Sequence, residues 1–182
     1  RAHRPLDFVI RQKYDFFKAL LYHFRRMERN HISPLASRKL ENLKVLADDM
    51  GKASKLSEKM SHSGPCIPGV RRTFVDVNGN LYPCERVSEL SDAMKIGHLD
   101  TGFKIEKARK LLNVSKLTED KCIDCWALRH CTLCAKFADN IINLSPDLIG
   151  SHCNAVKREA ENKLRDYVAL KEIAVNFRDH IA

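Results

Sequence analysis

Apolar residues recur at three- and four-residue steps over residues 7–29. Ile10, Tyr14, Phe17, Leu21 and Phe24 set the stripe, and Phe16, Leu20 and Met27 broaden it. Such positions share one face of a 3.6-residue turn, so the spacing predicts a long amphipathic helix. Ser33-Pro34 predicts the start of a second helix, because a serine oxygen can cap a free amide and proline at the first helical position forfeits no bond. Leu40, Leu43, Leu46, Ala47 and Met50 form its apolar face, and Gly51 is its expected stop. Residues 1–50 therefore read as two antiparallel helices whose aromatic stripe is core packing rather than a cofactor box. The polar stretch KASKLSEKMSHSGP, residues 52–65, predicts a short helix leading into a loop.

The period changes to two after Cys66. RRTFVDVNGNLYPC alternates apolar and polar residues on both sides of Asn78-Gly79, a pair suited to a type I′ hairpin turn. Strands are expected over 71–77 and 80–84, with Pro83 marking an edge strand or a strand end. KIGHL, residues 95–99, reads as a third short strand. Asp100 or Thr101 is the expected cap of a helix carrying Ile105, Ala108, Leu111 and Leu112. A cysteine run and a loop through Ser145-Pro146 follow. A last helix is expected from near Cys153 to about Phe177, with Val156, Ala160, Leu164, Tyr167 and Val168 on one face. The expected fold class is α+β: a helical N-terminal section, a small β-hairpin, cysteine-rich loops and a long C-terminal helix.

With 182 residues, 44% of them apolar, the chain can bury a core as one domain or two small ones. It has no apolar run of membrane-spanning length, so a soluble protein without a membrane partner is expected. It begins RAHRPLDF, with neither methionine nor a secretory h-region, which reads as a cytoplasmic fragment from the C-terminal end of a longer protein. A net charge of +9 invites a nucleic-acid partner. The basic residues, however, are interleaved with acidic ones, as in KIEKARK and KREAENKLRD, the pattern of a solvated helix face. Metal-bound thiolates would lower the charge further, and nucleic-acid binding is not the leading expectation.

Seven cysteines, an odd number grouped in C-x2-C pairs, argue against a disulfide framework and for metal ligation. Their layout is Cys66-x12-Gly79-x4-Cys84, then CIDCWALRHCTLC with Cys122, Cys125, Cys131 and Cys134, then Cys153. Soft thiolates select zinc, copper(I) or iron–sulfur clusters. One zinc on the dense run leaves Cys66, Cys84 and Cys153 idle; a second zinc needs His62, His130 or His152 to complete it. Spacing alone leaves zinc and iron–sulfur open. In ferredoxins the fourth cysteine of a close run serves the other of two clusters. Division on that precedent gives Cys122, Cys125, Cys131 and Cys153 as one set, and Cys66, Cys84 and Cys134 as the other.

CIPGVRRTFVDVNGNLYPCERV, followed by CIDCWALRHCTLC and a later cysteine, resembles the SPASM domain of radical SAM enzymes over residues 66–153. The family pattern is C-x(9–15)-G-x4-C, a gap, C-x2-C-x5-C-x3-C, a gap, and C. This chain departs from it with x2 before Cys134. The resemblance implies two auxiliary [4Fe–4S] clusters: a first on Cys66, Cys84 and Cys134, and a second on Cys122, Cys125, Cys131 and Cys153. MSHSGP lacks the extra cysteine some members carry before Cys66, so the first cluster would keep an open iron for His62, a small ligand or a substrate thiolate. It also implies a catalytic barrel that binds S-adenosylmethionine, an external electron donor and a peptide or protein substrate. The hairpin wording is similar to that of maturases forming thioether bridges in cysteine-rich peptides. No cysteine precedes Cys66, so the barrel's C-x3-C-x2-C motif is absent and this chain alone is not expected to be catalytic. On this view residues 1–60 bridge from the barrel, and 61–182 form the auxiliary cluster domain, with zinc a substitute in aerobic preparations.

Several single residues invite a role. Arg129 could offset cluster charge or be a solvated surface residue. Trp126 is expected to shield a cluster or pack in the core. Arg71 and Arg72 could meet an acidic leader peptide or simply charge a strand edge. Asp76 could serve as a base, although an exposed hairpin strand favours no chemical role.

Overall fold

A computed structural model of the chain describes residues 5–28, 31–51, 55, 58, 61–62, 67–70 and 72–172. The expected short helix at 52–65 lies largely outside the described residues, as do Cys66, Arg71 and the end of the last helix. The fold is α+β, with a small antiparallel sheet and a long helix toward the C-terminus. It divides into two compact units, Arg1–Lys55 with Asn162–Ala182, and Leu56–Glu161.

In the first unit, α1 spans Leu6–His23 and α2 spans Pro34–Gly51. Ser33 caps α2 as expected, its Oγ accepting from Ala36 N at 3.2 Å. The first helix stops short of the expected residue 29. Arg25 adopts φ 57°; its N–H donates to Tyr22 O at 2.8 Å, and Arg26 N–H donates to Leu21 O at 2.8 Å. These paired bonds close the helix in a Schellman motif. Its left-handed position usually falls to glycine, and arginine there gives no sequence signal. Leu43, Leu46 and Leu170 are buried, with Phe16, Leu20, Leu40, Leu164 and Tyr167 packed around them. Only part of the α1 stripe is core, since Ile10, Tyr14 and Phe17 remain more than half exposed. Lys39 Nζ sits 3.8 Å from the Phe16 ring centroid and pairs with Asp166 at 2.7 Å.

The second unit holds a four-stranded meander: β1 (Phe74–Val75), β2 (Asn80–Tyr82), β3 (Gly97–His98) and β4 (Gly102–Phe103). Its register pairs Phe74 with Tyr82, Leu81 with Gly97, and His98 with Gly102. The first hairpin turns differently from the expected type I′. Gly79 alone takes a positive φ, 80°, while Asn78 does not. Asp76 decides this. Its carboxylate accepts from Asn78 N at 2.8 Å and Asn80 N at 2.9 Å, and its carbonyl accepts from Gly79 N at 3.1 Å. That locks a longer turn with a left-handed glycine at its end. Pro83 ends β2, which is a central strand, not an edge. The expected cap residues Asp100 and Thr101 lie instead in the turn that leads into an unexpected β4. Thr101 N–H donates to His98 O at 3.3 Å in the turn between β3 and β4, and α3 (Ile105–Leu112) begins after Lys104 with no side-chain cap.

Beyond α3 come a 3-10 turn (Val114–Thr118), the single turn α4 (Glu119–Cys122), 3-10 turns at Leu128–His130 and Ala135–Ala138, α5 (Pro146–Ser151) and α6 (Cys153–Glu172). Ser145 caps α5, accepting from Leu148 N at 3.3 Å. The core of this unit gathers Leu81, Tyr82, Met94, Ile96, Leu111, Leu133, Ile149 and Val156, with Cys131 and Cys153 packed against it. The second half of α6, expected in the cysteine-bearing domain, groups with the first unit because Leu164, Tyr167 and Leu170 pack with Leu43 and Leu46.

Candidate metal centre

The dense cysteine run folds as a chain of tight turns. Cys125 N–H donates to Cys122 O at 3.1 Å, Leu128 N–H to Cys125 O at 3.0 Å, and Cys131 N–H to Leu128 O at 3.2 Å. Each turn reverses the chain within three residues, which returns Cys122, Cys125 and Cys131 toward a common side. The backbone is extended at Cys131 (φ −72°, ψ 126°) and again at Cys134 (φ −135°, ψ 176°). Between them the Leu133 side chain goes into the core, 3% exposed. Cys153 arrives from elsewhere, as the first residue of α6.

Cys122, Cys125, Cys131 and Cys153 line one open cavity of about 320 Å³. Leu133, Ile149 and Val156 form its apolar wall, and Lys121 and Lys157 bring positive charge to it. Burial pushes the Cys131 thiol up, and the neighbouring Cys122, Cys153 and Cys125 sulfurs push it further, against a backbone hydrogen bond from Leu133 that lowers it. Cys153 is likewise raised by burial and by Cys122 and Cys125, while Lys157 and Lys121 pull it down. Thr118, one helical turn before Cys122, sits 3.4 Å from its sulfur, Oγ1 accepting from the thiol.

Cys134 is not on this cavity. With the buried Cys84, just past β2, it acts instead on Arg86. A hydrogen bond to Cys84 holds the Arg86 guanidinium further above its ordinary value, followed by the charge of Cys84 and then that of Cys134. Cys66, the third member expected with this pair, lies outside the described residues. None of the six described cysteines forms a disulfide. Among the described residues no three or more His, Cys, Asp or Glu side chains form a group that could hold a metal ion.

The other candidates are dispersed. His62 belongs to the four-cysteine cavity and not to the pair at Arg86, where a ligand for the open iron was expected. It is 3% exposed, and its Nδ1 lies 2.8 Å from Leu133 O. Its Nε2 is buried with no hydrogen-bond partner among the described residues. His152 packs edge-on against Phe137, centroids 4.9 Å apart. Arg129 and His130 stand on the Leu128–His130 turn, and neither lines the cavity. Trp126 is 56% exposed, so it neither packs in the core nor walls the cavity as expected. The tight turn around Cys125 carries it outward. Arg72 pairs with Glu85 at 2.9 Å on the surface. Asp76 is occupied as a turn anchor, its carboxyl held below the usual range by the Asn80 side-chain bond.

Sequence reasoning passed over Thr118, Lys157 and Arg86. The first two sit four residues from a cysteine on a helical turn, a spacing that could have drawn notice. No helix of the described residues is long and apolar enough to cross a membrane. Compared with known proteins, the chain matches no family model, no curated protein and no solved structure.

The donor set is of the soft kind that zinc and iron–sulfur groups both take. A tetrahedral zinc closes four sulfurs around one ion at about 2.3 Å. A cluster spreads its thiolates over separate irons. Four thiols lining one cavity are a donor set that either group could draw on.

Proposed function

We propose that the chain is an auxiliary iron–sulfur module of the SPASM type. It holds one [4Fe–4S] cluster on Cys122, Cys125, Cys131 and Cys153 and another on Cys66, Cys84 and Cys134. Its service is to a radical SAM enzyme that modifies ribosomally made peptides or proteins, with the S-adenosylmethionine barrel and an external electron donor as partners. One observation carries this reading. Cys122, Cys125 and Cys131 of the dense run and Cys153 of α6 line a single cavity, whereas Cys134, three positions from Cys131, is not on it.

Bound clusters supply one-electron transfer and, where an iron lacks a protein thiolate, a point of attachment for a substrate group. The chain's own residues set the surroundings. Leu133, Ile149 and Val156 keep water from one side of the four-thiol cavity, and Lys121 and Lys157 offset thiolate charge. Arg86 does the same for Cys84 and Cys134.

Iron, sulfide and Mössbauer analysis of the anaerobically isolated chain tests the proposal. Two four-iron clusters require roughly eight irons and as many sulfides per chain. Cys125→Ala and Cys84→Ala should each remove about half, and from different clusters. One zinc without sulfide in the anaerobic protein would refute the reading in favour of a zinc-stabilised binding module. Loss of the same cluster in both variants would refute the partition.

A further inference from the structure

We propose that His62 is a direct metal ligand in the four-thiol cavity, its Nε2 binding an iron in place of one of the four thiolates. The inference rests on the cluster reading above. His62 lines the same cavity as Cys122, Cys125, Cys131 and Cys153. Its other nitrogen is already committed: Nδ1 lies 2.8 Å from Leu133 O, and a carbonyl oxygen only accepts, so the ring hydrogen is on Nδ1. In the neutral ring Nε2 then carries a bare lone pair. That atom is buried without a hydrogen-bond partner among the described residues, a costly arrangement that a native fold does not keep without use.

An Nδ1–H bonded to a backbone carbonyl, with Nε2 free, is the arrangement a ligating histidine adopts. The outer bond fixes the tautomer and aims the ring. Donation from Nε2 to a cluster sulfur needs a hydrogen that this tautomer does not have there, so the lone pair can serve only as an acceptor or a ligand.

Five donors face a cluster with four terminal positions. His62 would thus take the place of one of the four cysteines assigned to that cluster above, and that cysteine would remain a protonated thiol. No electron is transferred. Replacing an anionic sulfur by a neutral nitrogen makes the cluster less negative and raises its reduction potential, as histidine does in Rieske centres.

The test uses the full chain with Cys84→Ala and Cys134→Ala, so that the four-thiol cluster alone is reconstituted and reduced under anaerobic conditions. Pulsed EPR should show a strongly coupled nitrogen whose signal changes when the protein carries ¹⁵N-histidine. His62→Asn keeps an N–H able to donate to Leu133 O but deletes Nε2. It should abolish the coupling and lower the potential while iron and sulfide stay constant. Full iron and sulfide with only weak couplings, indifferent to the label, would overturn the ligand role and leave the module reading standing. Absence of iron and sulfide would overturn both. The label experiment needs no substitution at residue 62, so a folding defect in His62→Asn does not shelter the proposal.

Discussion

Ile149 joins the stability of the cysteine-bearing unit to its candidate site. Its side chain is 1% exposed, belongs to the core with Leu81, Met94 and Val156, and also lines the four-thiol cavity. Ile149→Val removes one methylene group and should cost about 0.5–1.5 kcal/mol; Ile149→Ala should cost about 2–5 kcal/mol. The upper half of that second range is expected. The hole adjoins an existing cavity of about 320 Å³, and the facing Leu133 and Val156 are held by the rest of the core, so little collapse can fill it. Native-state hydrogen exchange isolates this unit from the other. The amides to follow are Met94, bonded to Ser91 Oγ at 3.2 Å, and Val156, bonded to His152 O at 3.2 Å. With about 1.4 kcal/mol per tenfold, their exchange should quicken by roughly threefold to tenfold in the valine variant. In the alanine variant the factor should be roughly 300-fold or more. An alanine variant exchanging no faster than the valine one would refute the claim that Ile149 is a fixed wall shared by core and site.

Other substitutions test the frame. Tyr82, 2% exposed, has its phenol pushed up by burial and then by the Asp76 charge. Its neutral form is therefore favoured by the fold. That stability is complete below the ordinary tyrosine value of 10.0 and is lost as pH rises through the higher folded value. Absorbance at alkaline pH should show a tyrosine that ionises above the ordinary value, together with loss of the sheet signal. Tyr82→Phe should abolish that step and cost about 0.5–1.5 kcal/mol through the lost 2.6 Å bond to Glu89 O; an unchanged alkaline transition would count against it. Gly79→Ala, at φ +80° and with its new methyl 3.1 Å from His98 Nε2, should destabilise the unit by about 1–2 kcal/mol in denaturant titration. An unaltered midpoint would contradict the strained turn. Ser33→Ala should remove about 1 kcal/mol by deleting the bond to Ala36 N, seen as a lower melting temperature for the first unit. No change there would mean the cap is not used.

Features that depend on near neighbours were legible in the sequence. Ser33 and Pro34 start α2 because a cap needs only its own next three residues. The 3.6-residue period of α1, α2 and α6 likewise follows from local geometry. Where a local signal failed, a competing local bond was stronger: the Asp76 carboxylate overrode the Asn78-Gly79 turn preference, and a Schellman closure at Arg25 ended α1 without a glycine. Trp126 illustrates the opposite limit. Its bulk suggested burial, but direction is set by the turn geometry at Cys125, and it faces out.

The sequence by itself determined the supply of donors: seven soft sulfurs, with Cys122, Cys125 and Cys131 held close by their spacing along one short run. Only the tertiary structure brings Cys153 to the cavity that Cys122, Cys125 and Cys131 line and leaves Cys134 off it. Cys153 reaches the cavity because Ser145 caps α5 and Ile149 anchors it in the core, delivering the first residue of α6 to the run. Cys134 is separated from Cys131 by Leu133, whose burial fixes the chain between them, and it does not line that cavity. His62 was visible as a donor but not as a neighbour of the four thiols. Its place follows from a single bond to Leu133 across 71 positions of chain, and no short-range pattern carries information over that distance.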